Sequence, residues 1–393
     1  MAYILILSIA LEILILVFIQ GVYSMQSITK KYEWNAMLLD RKIFIFFILI
    51  FTISSSAYDK WIVVTTIQYP TPQLKKLAHI EGWHLLVVGD KKTPRDWYLE
   101  NCEYLSPEKQ LSLGYELTPL LPWNHYSRKN IGYLYAVEHG ATILYDTDDD
   151  NEPLDGLKPL AEKNNLPSLT ASNLCVNIYA YFEKPTMWPR GYPLEYVKNG
   201  LFNISAPIDV EIGIEQGLVN GDPDVDAIFR EPVSRLTQLH EDIILFTPKP
   251  SCVLAQGMYC PFNSQNTFFH NKAFFTLYLP SSVSMRVSDI WRGYYAQKLI
   301  QLLNLSLAFS GPSAMQERNN HDLLNDFSLE DDLYLKSGQL IKFLSKWNLV
   351  GSGNNLNTME RLFQDLIDNN FLKHSELALC KAWLRDFERI STQ

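Results

Sequence analysis

"RKNIGYLYAVEHGATILYDTDDDN", residues 128–151, decides the reading of the fold. Apolar residues recur at helical spacing in its first half, with Ser127 placed just ahead as a helix cap and Gly140 as the stop. A short apolar and β-branched run, Ala141–Tyr145, then reads as a strand that delivers the chain into Asp146, Asp148, Asp149 and Asp150. Side chains so close and so alike in charge repel one another unless something positive lies between them.

Upstream, "KWIVVTTIQYPTP" (60–72) and "WHLLVVGD" (83–90) read as the first two strands. Strands alternating with helical stretches predict an α/β domain with a mostly parallel sheet. In such sheets ligands bind outside the carboxyl ends of the strands. Thr65, Thr66, Asp90 and the run Asp146–Asp150 all fall at such ends, so the candidate site is assembled from three of them.

The 393 residues, 47% of them hydrophobic, suffice for one large core or two moderate ones. Lys plus Arg number 34 against 43 Asp plus Glu, a net charge of −9 with no long basic stripe, which speaks against a nucleic-acid partner. Two apolar stretches, 2–19 and 43–57, flank a loop holding Lys30, Lys31, Arg41 and Lys42. By the positive-inside rule that loop stays cytosolic and everything after about residue 57 enters the secretory lumen. Residues 1–57 are thus expected to be a membrane anchor or signal region, and Met37 begins a run that reads as a complete secretory signal. Two buried core helices of a cytosolic protein are the alternative. The sequons at Asn203 and Asn304 agree with a luminal address. Of the five cysteines, Cys252 with Cys260 is the first pair to test for a disulfide, beside the alternative of five buried thiols, and no spacing resembles a zinc site.

Residues 151–285, rich in Pro, Gly and aromatics, carry irregular apolar runs such as "EIGIEQGLV" (211–219) and "DIILFTP" (242–248), expected to be excursions from the same core. "VSDIWRGYYAQKLIQLL" (287–303) returns to helix. Beyond about residue 330, Met359, Leu362, Phe363, Leu366 and Ile367 share one apolar helical face, and Leu377, Cys380, Leu384 and Phe387 another. The expected division is an anchor over 1–57, a catalytic domain over 58–330 and a small helical region over 331–393.

The acidic run admits several chemistries. An EF-hand starting at Asp146 would have Asn151 where Gly is needed and Leu157 where Glu is needed. A phosphatase with an Asp nucleophile after a strand would have Thr or Val where Asp150 stands. The Asp-x-Asp motif of nucleotide-sugar glycosyltransferases fits better: hard carboxylate oxygens hold Mn2+ or Mg2+, and the cation bridges a diphosphate leaving group. A solvated acidic loop is the plain alternative.

Six motifs in order resemble those of the STELLO family of Golgi membrane glycosyltransferase-like proteins: "WIVVTTIQYPTPQL", "GWHLLVVGDKKTP", "RKNIGYLYAVEHGATILYDTDDDN", "CPFNSQNTFFHNKAF", "VSDIWRGYYAQKL" and "QERNNHDLLNDF". More distantly, Asp148–Asp150 and Asp289-Ile290-Trp291-Arg292-Gly293 are similar to motifs of the reversibly glycosylated polypeptides, the UDP-arabinopyranose mutases. The resemblance implies a GT-A-like fold that binds a UDP-sugar together with a divalent metal. On it, Asp148 and Asp150 would be metal ligands with Asp149 as the alternate, and Asp146 would stand behind them. Asp90 would meet uridine, with a plain turn residue as the alternative. Thr65 and Thr66 would line the base pocket, though β-branched residues belong on strands anyway. Arg128 and Lys129, at a helix start that favours anions, would contact base or phosphate or else form a solvated pair. Asp289 would be the general base of an inverting reaction, though helix capping explains it as well. In "QERNNHD", His321 would complete the metal shell and Arg318 would meet phosphate, with a purely structural histidine as the alternative. The function implied is transfer of a sugar from a UDP-sugar to an unknown glycan, protein or lipid acceptor at the Golgi membrane. The rivals are a UDP-sugar mutase and a non-catalytic scaffold that partners a membrane enzyme.

Overall fold

A computed structural model describes residues 59–199, 201–230, 243–317, 322–348 and 354–391. Among them the apolar runs settle into ten strands: β1 (Lys60–Thr65), β2 (His84–Val88), β3 (Cys102–Leu105), β4 (Ile143–Thr147), β5 (Asn151–Pro153), β6 (Lys163–Ala171), β7 (Phe202–Gly221), β8 (Cys252–Leu254), β9 (Asn266–His270) and β10 (Leu305–Gln316). They form one sheet in the order β3-β2-β1-β4-β9-β7-β6-β8-β10-β5, with β7 also paired to β10.

The first half of the sheet is parallel, β1 lying between β2 and β4 and β2 against β3. Beyond β4 the direction reverses: β9 runs antiparallel to both β4 and β7, and β6 antiparallel to β7. Among the described residues five pairings are parallel and five antiparallel, so the sheet is mixed rather than mostly parallel. The correction has a physical source. Residues 151–285 are not excursions but supply five of the strands, and antiparallel partners need no helical crossover to reach one another. Among the described residues of "DIILFTP", Ile244 alone makes a bridge, to Gly221.

Alternate residues of β1 enter opposite faces of the sheet, Trp61 and Val63 into the larger core and Ile62 and Val64 into a smaller one. Both faces are therefore covered, as a parallel strand requires. The helices of ten or more residues among the described residues are α1 (Lys129–Glu138), α2 (Met285–Gln301), α3 (Asp331–Lys346), α4 (Asn355–Asp368) and α5 (Ser375–Ser391). Helix α1 is buried over most of its circumference, polar Lys129 and Asn130 included. Ser127 does not cap it: Ser127 sits in a 3-10 turn, Tyr126–Arg128, where its N–H donates to His125 Nδ1 at 3.1 Å. Gly140, at φ +87°, does stop it.

The apolar face of α4 is buried as its spacing predicts, and on α5 Cys380 and Leu384 are buried with Leu377 and Phe387 packed beside them. All five cysteines are free thiols, so Cys252 and Cys260 form no disulfide. No helix among the described residues is long and apolar enough to cross a membrane. The expected anchor, residues 1–57, lies outside the described residues.

Candidate functional site

A cleft of about 460 Å³ opens at the carboxyl ends of β1, β2 and β4. It is lined by Thr65, Thr66, Asp90, Lys92, Arg128 and Asp148–Asp150 from the strand ends, together with Arg190, Asp224, Asn263, Gln265, Arg286, Asp289 and Gln316. Its volume is in the range of small-ligand sites. Of the residues singled out in the sequence, Lys129 lies behind the cleft wall, and Arg318 and His321 lie outside the described residues.

Each aspartate of the run has a distinct setting. Asp149 accepts from the Thr66 hydroxyl at 2.5 Å, and its carbonyl accepts from Thr71 Oγ1 at 2.6 Å, which ties the run to the end of β1. Asp148 Oδ1 accepts from the Tyr126 hydroxyl at 2.8 Å. Asp150 accepts from Asn151 Nδ2 at 3.0 Å and from Gln316 Nε2 at 2.9 Å, joining the end of β4 to the end of β10. Burial pushes the Asp148 carboxyl up to about 6; Lys129 pulls against that shift and the charge of Asp150 adds to it. Burial also raises Asp149, the Thr66 hydrogen bond opposing it.

In this structure the positive charge among the aspartates is a lysine. Lys129 Nζ stands 2.7 Å from Asp146 Oδ1 and 3.4 Å from Asp148 Oδ1, and donates to the Thr147 carbonyl at 2.6 Å. Arg292 Nη2 takes the other oxygen of Asp146 at 2.9 Å and also donates to Ser264 Oγ at 2.8 Å. Asp146 is thus a fully buried hub between two cations, behind the cleft.

Arg128 also acts inward. Its Nε donates to Gln110 Oε1 at 3.0 Å and its Nη1 to the Thr118 carbonyl at 2.9 Å, while its guanidinium lies 3.8 Å from the ring centre of Trp123. Burial lowers its pKa to about 10. It holds the segment 110–123 in place while also lining the cleft. Asp90 has a similar task, accepting from the N–H groups of Lys91, Asn124 and His125 at 2.7, 2.8 and 3.1 Å.

Asp289 lies one turn inside α2, whose N-cap is Ser284, so it caps nothing. Its Oδ2 accepts from Arg190 Nη2 at 2.9 Å, and its Oδ1 from the Ile290 N–H at 3.0 Å. Arg190 Nε bonds both oxygens of Asp224 at 2.9 Å, and Asp224 Oδ2 also accepts from Asn263 Nδ2 at 2.6 Å. Sequence reasoning assigned no role to Arg190, Asp224, Asn263, Gln265 or Gln316. A signal existed in "CPFNSQN", where a polar run enters a strand that is buried throughout.

Two carboxylates lining one cleft, one raising the pKa of the other, suit a hard divalent cation, and Asp148 and Asp150 are the residues that would hold it. Among the described residues no three His, Cys, Asp or Glu side chains are gathered as a metal cage.

Fold and cleft together define a mixed α/β protein with an acidic ligand cleft at its strand ends. Residues 286–393 match the family model of the STELLO glycosyltransferases. The Arabidopsis thaliana protein named "Probable glycosyltransferase STELLO1" is 37% identical over 354 residues, covering 85% of this chain and 45% of that protein. "Probable glycosyltransferase STELLO2" of the same plant is 33% identical over 409 residues, covering 95% of this chain and 50% of that protein. The resemblance to the STELLO family read from the motifs is borne out, and the chain spans about half the length of the curated relatives it matches. A solved structure, the glucosyl-3-phosphoglycerate synthase of Mycobacterium tuberculosis in complex with phosphoglyceric acid, aligns at TM-score 0.32 and 10% identity over 70% of this chain and 76% of that one. A likeness that loose carries no argument.

Proposed function

We propose that this chain is a GT-A-type glycosyltransferase that takes a UDP-sugar into the acidic cleft and passes the sugar to a glycan, protein or lipid acceptor. The observation that carries this reading is that Asp148–Asp150, at the end of β4, and Asp289, on α2, line one cleft. The names of the two Arabidopsis relatives support the reaction class. Asp148 and Asp150 would hold Mn2+ or Mg2+, with His321 as a further ligand and Arg318 on phosphate. When bound, the cation would stabilise charge on the departing diphosphate as a Lewis acid.

The chain's own residues would bind and orient. Thr65, Thr66 and the Asp90 loop would bound the base pocket, and the tie from Asp149 to Thr66 would fix the aspartates against it. In an inverting reaction Asp289 would take the proton of the acceptor hydroxyl. With Oδ2 held by Arg190, the receiving atom would be Oδ1, whose bond is to the neighbouring Ile290 N–H. The proposed setting is the Golgi membrane, with residues 1–57 as anchor and the rest luminal. Exposure of both sequon asparagines, Asn203 and Asn304, supports that setting.

The test uses the full chain in detergent with a panel of UDP-sugars, with and without Mn2+. The expected result is Mn2+-dependent release of UDP that is lost in the double variant Asp148→Ala plus Asp150→Ala. Binding with no turnover would favour a scaffold that partners a membrane enzyme, and interconversion of the UDP-sugar would favour a mutase.

A further inference from the structure

Tyr126 lines the cleft from the 3-10 turn Tyr126–Arg128, and its hydroxyl donates to Asp148 Oδ1 at 2.8 Å. The direction of that bond is fixed. Lys129 Nζ donates to the same phenolic oxygen at 3.2 Å, and an ammonium can only donate. Burial, with the charge of Asp148 adding to it, pushes the phenol well above its ordinary value, so Tyr126 keeps the proton it gives. A hydroxyl that accepts from a cation is also the stronger donor.

Lys129 holds the acidic run through Asp146 Oδ1 and the Thr147 carbonyl, at 2.7 and 2.6 Å, and reaches Asp148 Oδ1 only at 3.4 Å. Tyr126 is therefore the nearer partner of Asp148. Both partners meet the same oxygen. Asp148 Oδ2 accepts from none of the described residues, and the side chain is 35% exposed. One oxygen is thus committed to the protein and the other is offered to the cleft. Asp146 differs, since Lys129 and Arg292 take one oxygen each and solvent reaches neither.

Coordination chemistry gives this asymmetry a use. A carboxylate that binds through one oxygen takes one place around a small cation and leaves the others to ligand oxygens and water, as the strict octahedral shell of Mg2+ requires. A carboxylate free to swing can bind through both oxygens, which suits the larger and more tolerant Ca2+. Fixing the side chain beforehand also removes the cost of ordering it on binding.

We propose that Tyr126 is a positioning residue: by holding Oδ1 it presents Asp148 Oδ2 as a single ligand atom, and so favours Mn2+ or Mg2+ over Ca2+. The inference rests on the metal-assisted reading above and adds to it the means by which the cleft selects its ion.

Tyr126→Phe keeps the ring and removes the hydroxyl. The full chain in detergent is titrated with Mn2+ alone, the free ion being read by its electron paramagnetic resonance signal, and bound Mn2+ is then displaced with Ca2+. In the variant the affinity for Mn2+ should fall about tenfold. The Ca2+ concentration that displaces half of the bound Mn2+ should fall by more than about threefold. A Mn2+ affinity equal to that of the wild type overturns the inference. So does an unchanged displacing concentration, because a site that is merely loosened weakens for both ions alike. Asp148→Asn decides the matter should Tyr126→Phe fail to fold. With its amide oxygen on the Tyr126 hydroxyl, the amide nitrogen takes the place of Oδ2, so the affinity for Mn2+ should fall at least about tenfold. Wild-type affinity in Asp148→Asn overturns the inference as well. Absence of Mn2+ binding by the wild-type chain would instead remove the metal-assisted reading on which the role of Tyr126 rests.

Discussion

Lys129 and Asp146 form an ion pair, 2.7 Å from Nζ to Oδ1, in which neither side chain is reached by solvent. Two residues on, just past the end of β4, Asp148 Oδ1 lies 3.4 Å from the same ammonium and does line the cleft. One buried lysine therefore positions the acidic run from behind. Replacing it leaves Asp146 with Arg292 as its cationic partner among the described residues. Lys129→Met is expected to cost about 3 kcal/mol of stability by urea unfolding, because a buried carboxylate loses a partner. A loss below about 1 kcal/mol would mean that Arg292 suffices and that the lysine is not what holds the run.

Gly293, in the "DIWRG" stretch of α2, sits one turn after Asp289 and packs against the carbonyl of Phe262. A methyl group there would collide with that oxygen, which is backbone and cannot rotate away. Alanine is the better helix former by about 1 kcal/mol, but pushing α2 off the Phe262 segment costs more, about 2–3 kcal/mol. Gly293→Ala should therefore be destabilising, by about 1–2 kcal/mol, with a lowered midpoint in thermal unfolding. A stabilised variant would show that α2 has room to shift, and with it Asp289.

The parts of the fold legible in the sequence were those with local causes. β1, β2 and β4 could be read because each is a short apolar run ending in polar residues, and their carboxyl ends do meet at the cleft. The pairing of β6 with β7 could not be read, since Lys163–Ala171 and Phe202–Gly221 meet through a register set by distant partners, with an irregularity between Pro167 and Leu169. Arg128 and Lys129 show the same limit within the site. Two adjacent basic residues at a helix start suggest a ligand contact, and only tertiary packing reveals that one is stacked on Trp123 and the other inserted between Asp146 and Asp148. Arg190 stood in a Pro- and Gly-rich stretch with no periodicity to mark it as buried.

Asp226 supplies a pH dependence. It is buried, accepting from Trp188 Nε1 at 2.6 Å and from the Phe229 N–H at 2.9 Å, and burial pushes its carboxyl up to about 6. Because the folded value exceeds the ordinary one near 4, the folded state binds the proton more tightly than the unfolded chain. The contribution of Asp226 to stability is therefore fully present below about pH 4 and is lost as the pH rises through about 6. Set against Asp226→Asn, which does not titrate, the wild type should gain about 2–3 kcal/mol in relative stability between pH 7 and pH 4. Urea unfolding of both proteins across that range measures the difference. A flat difference, or one of opposite sign, would show that Asp226 stays ionised in the folded chain.

The segment that leads into α2 is held by the C-terminal helix. Glu376, in the first turn of α5, is fully buried and accepts from the N–H groups of Ser281 and Ser282 at 3.1 and 2.6 Å and from the Tyr278 hydroxyl. Ten residues on, Asp386 accepts from the N–H groups of Glu116 and Leu117 at 3.0 and 2.9 Å. These two carboxylates fasten α5 across segments that are far apart in the chain. Glu376→Ala strands two backbone donors and a hydroxyl at a buried site, so a loss of about 2–4 kcal/mol is expected. Glu376→Gln keeps an acceptor oxygen and should recover at least half of it. Ser281 and Ser282 lie three and two residues before Ser284, the cap of α2, so the alanine variant should also speed proteolysis between residues 278 and 285, read by mass spectrometry of a limited digest. Equal stability of the alanine and glutamine variants, with unchanged digestion, would show that the apolar faces of α4 and α5 dock the C-terminal helices unaided.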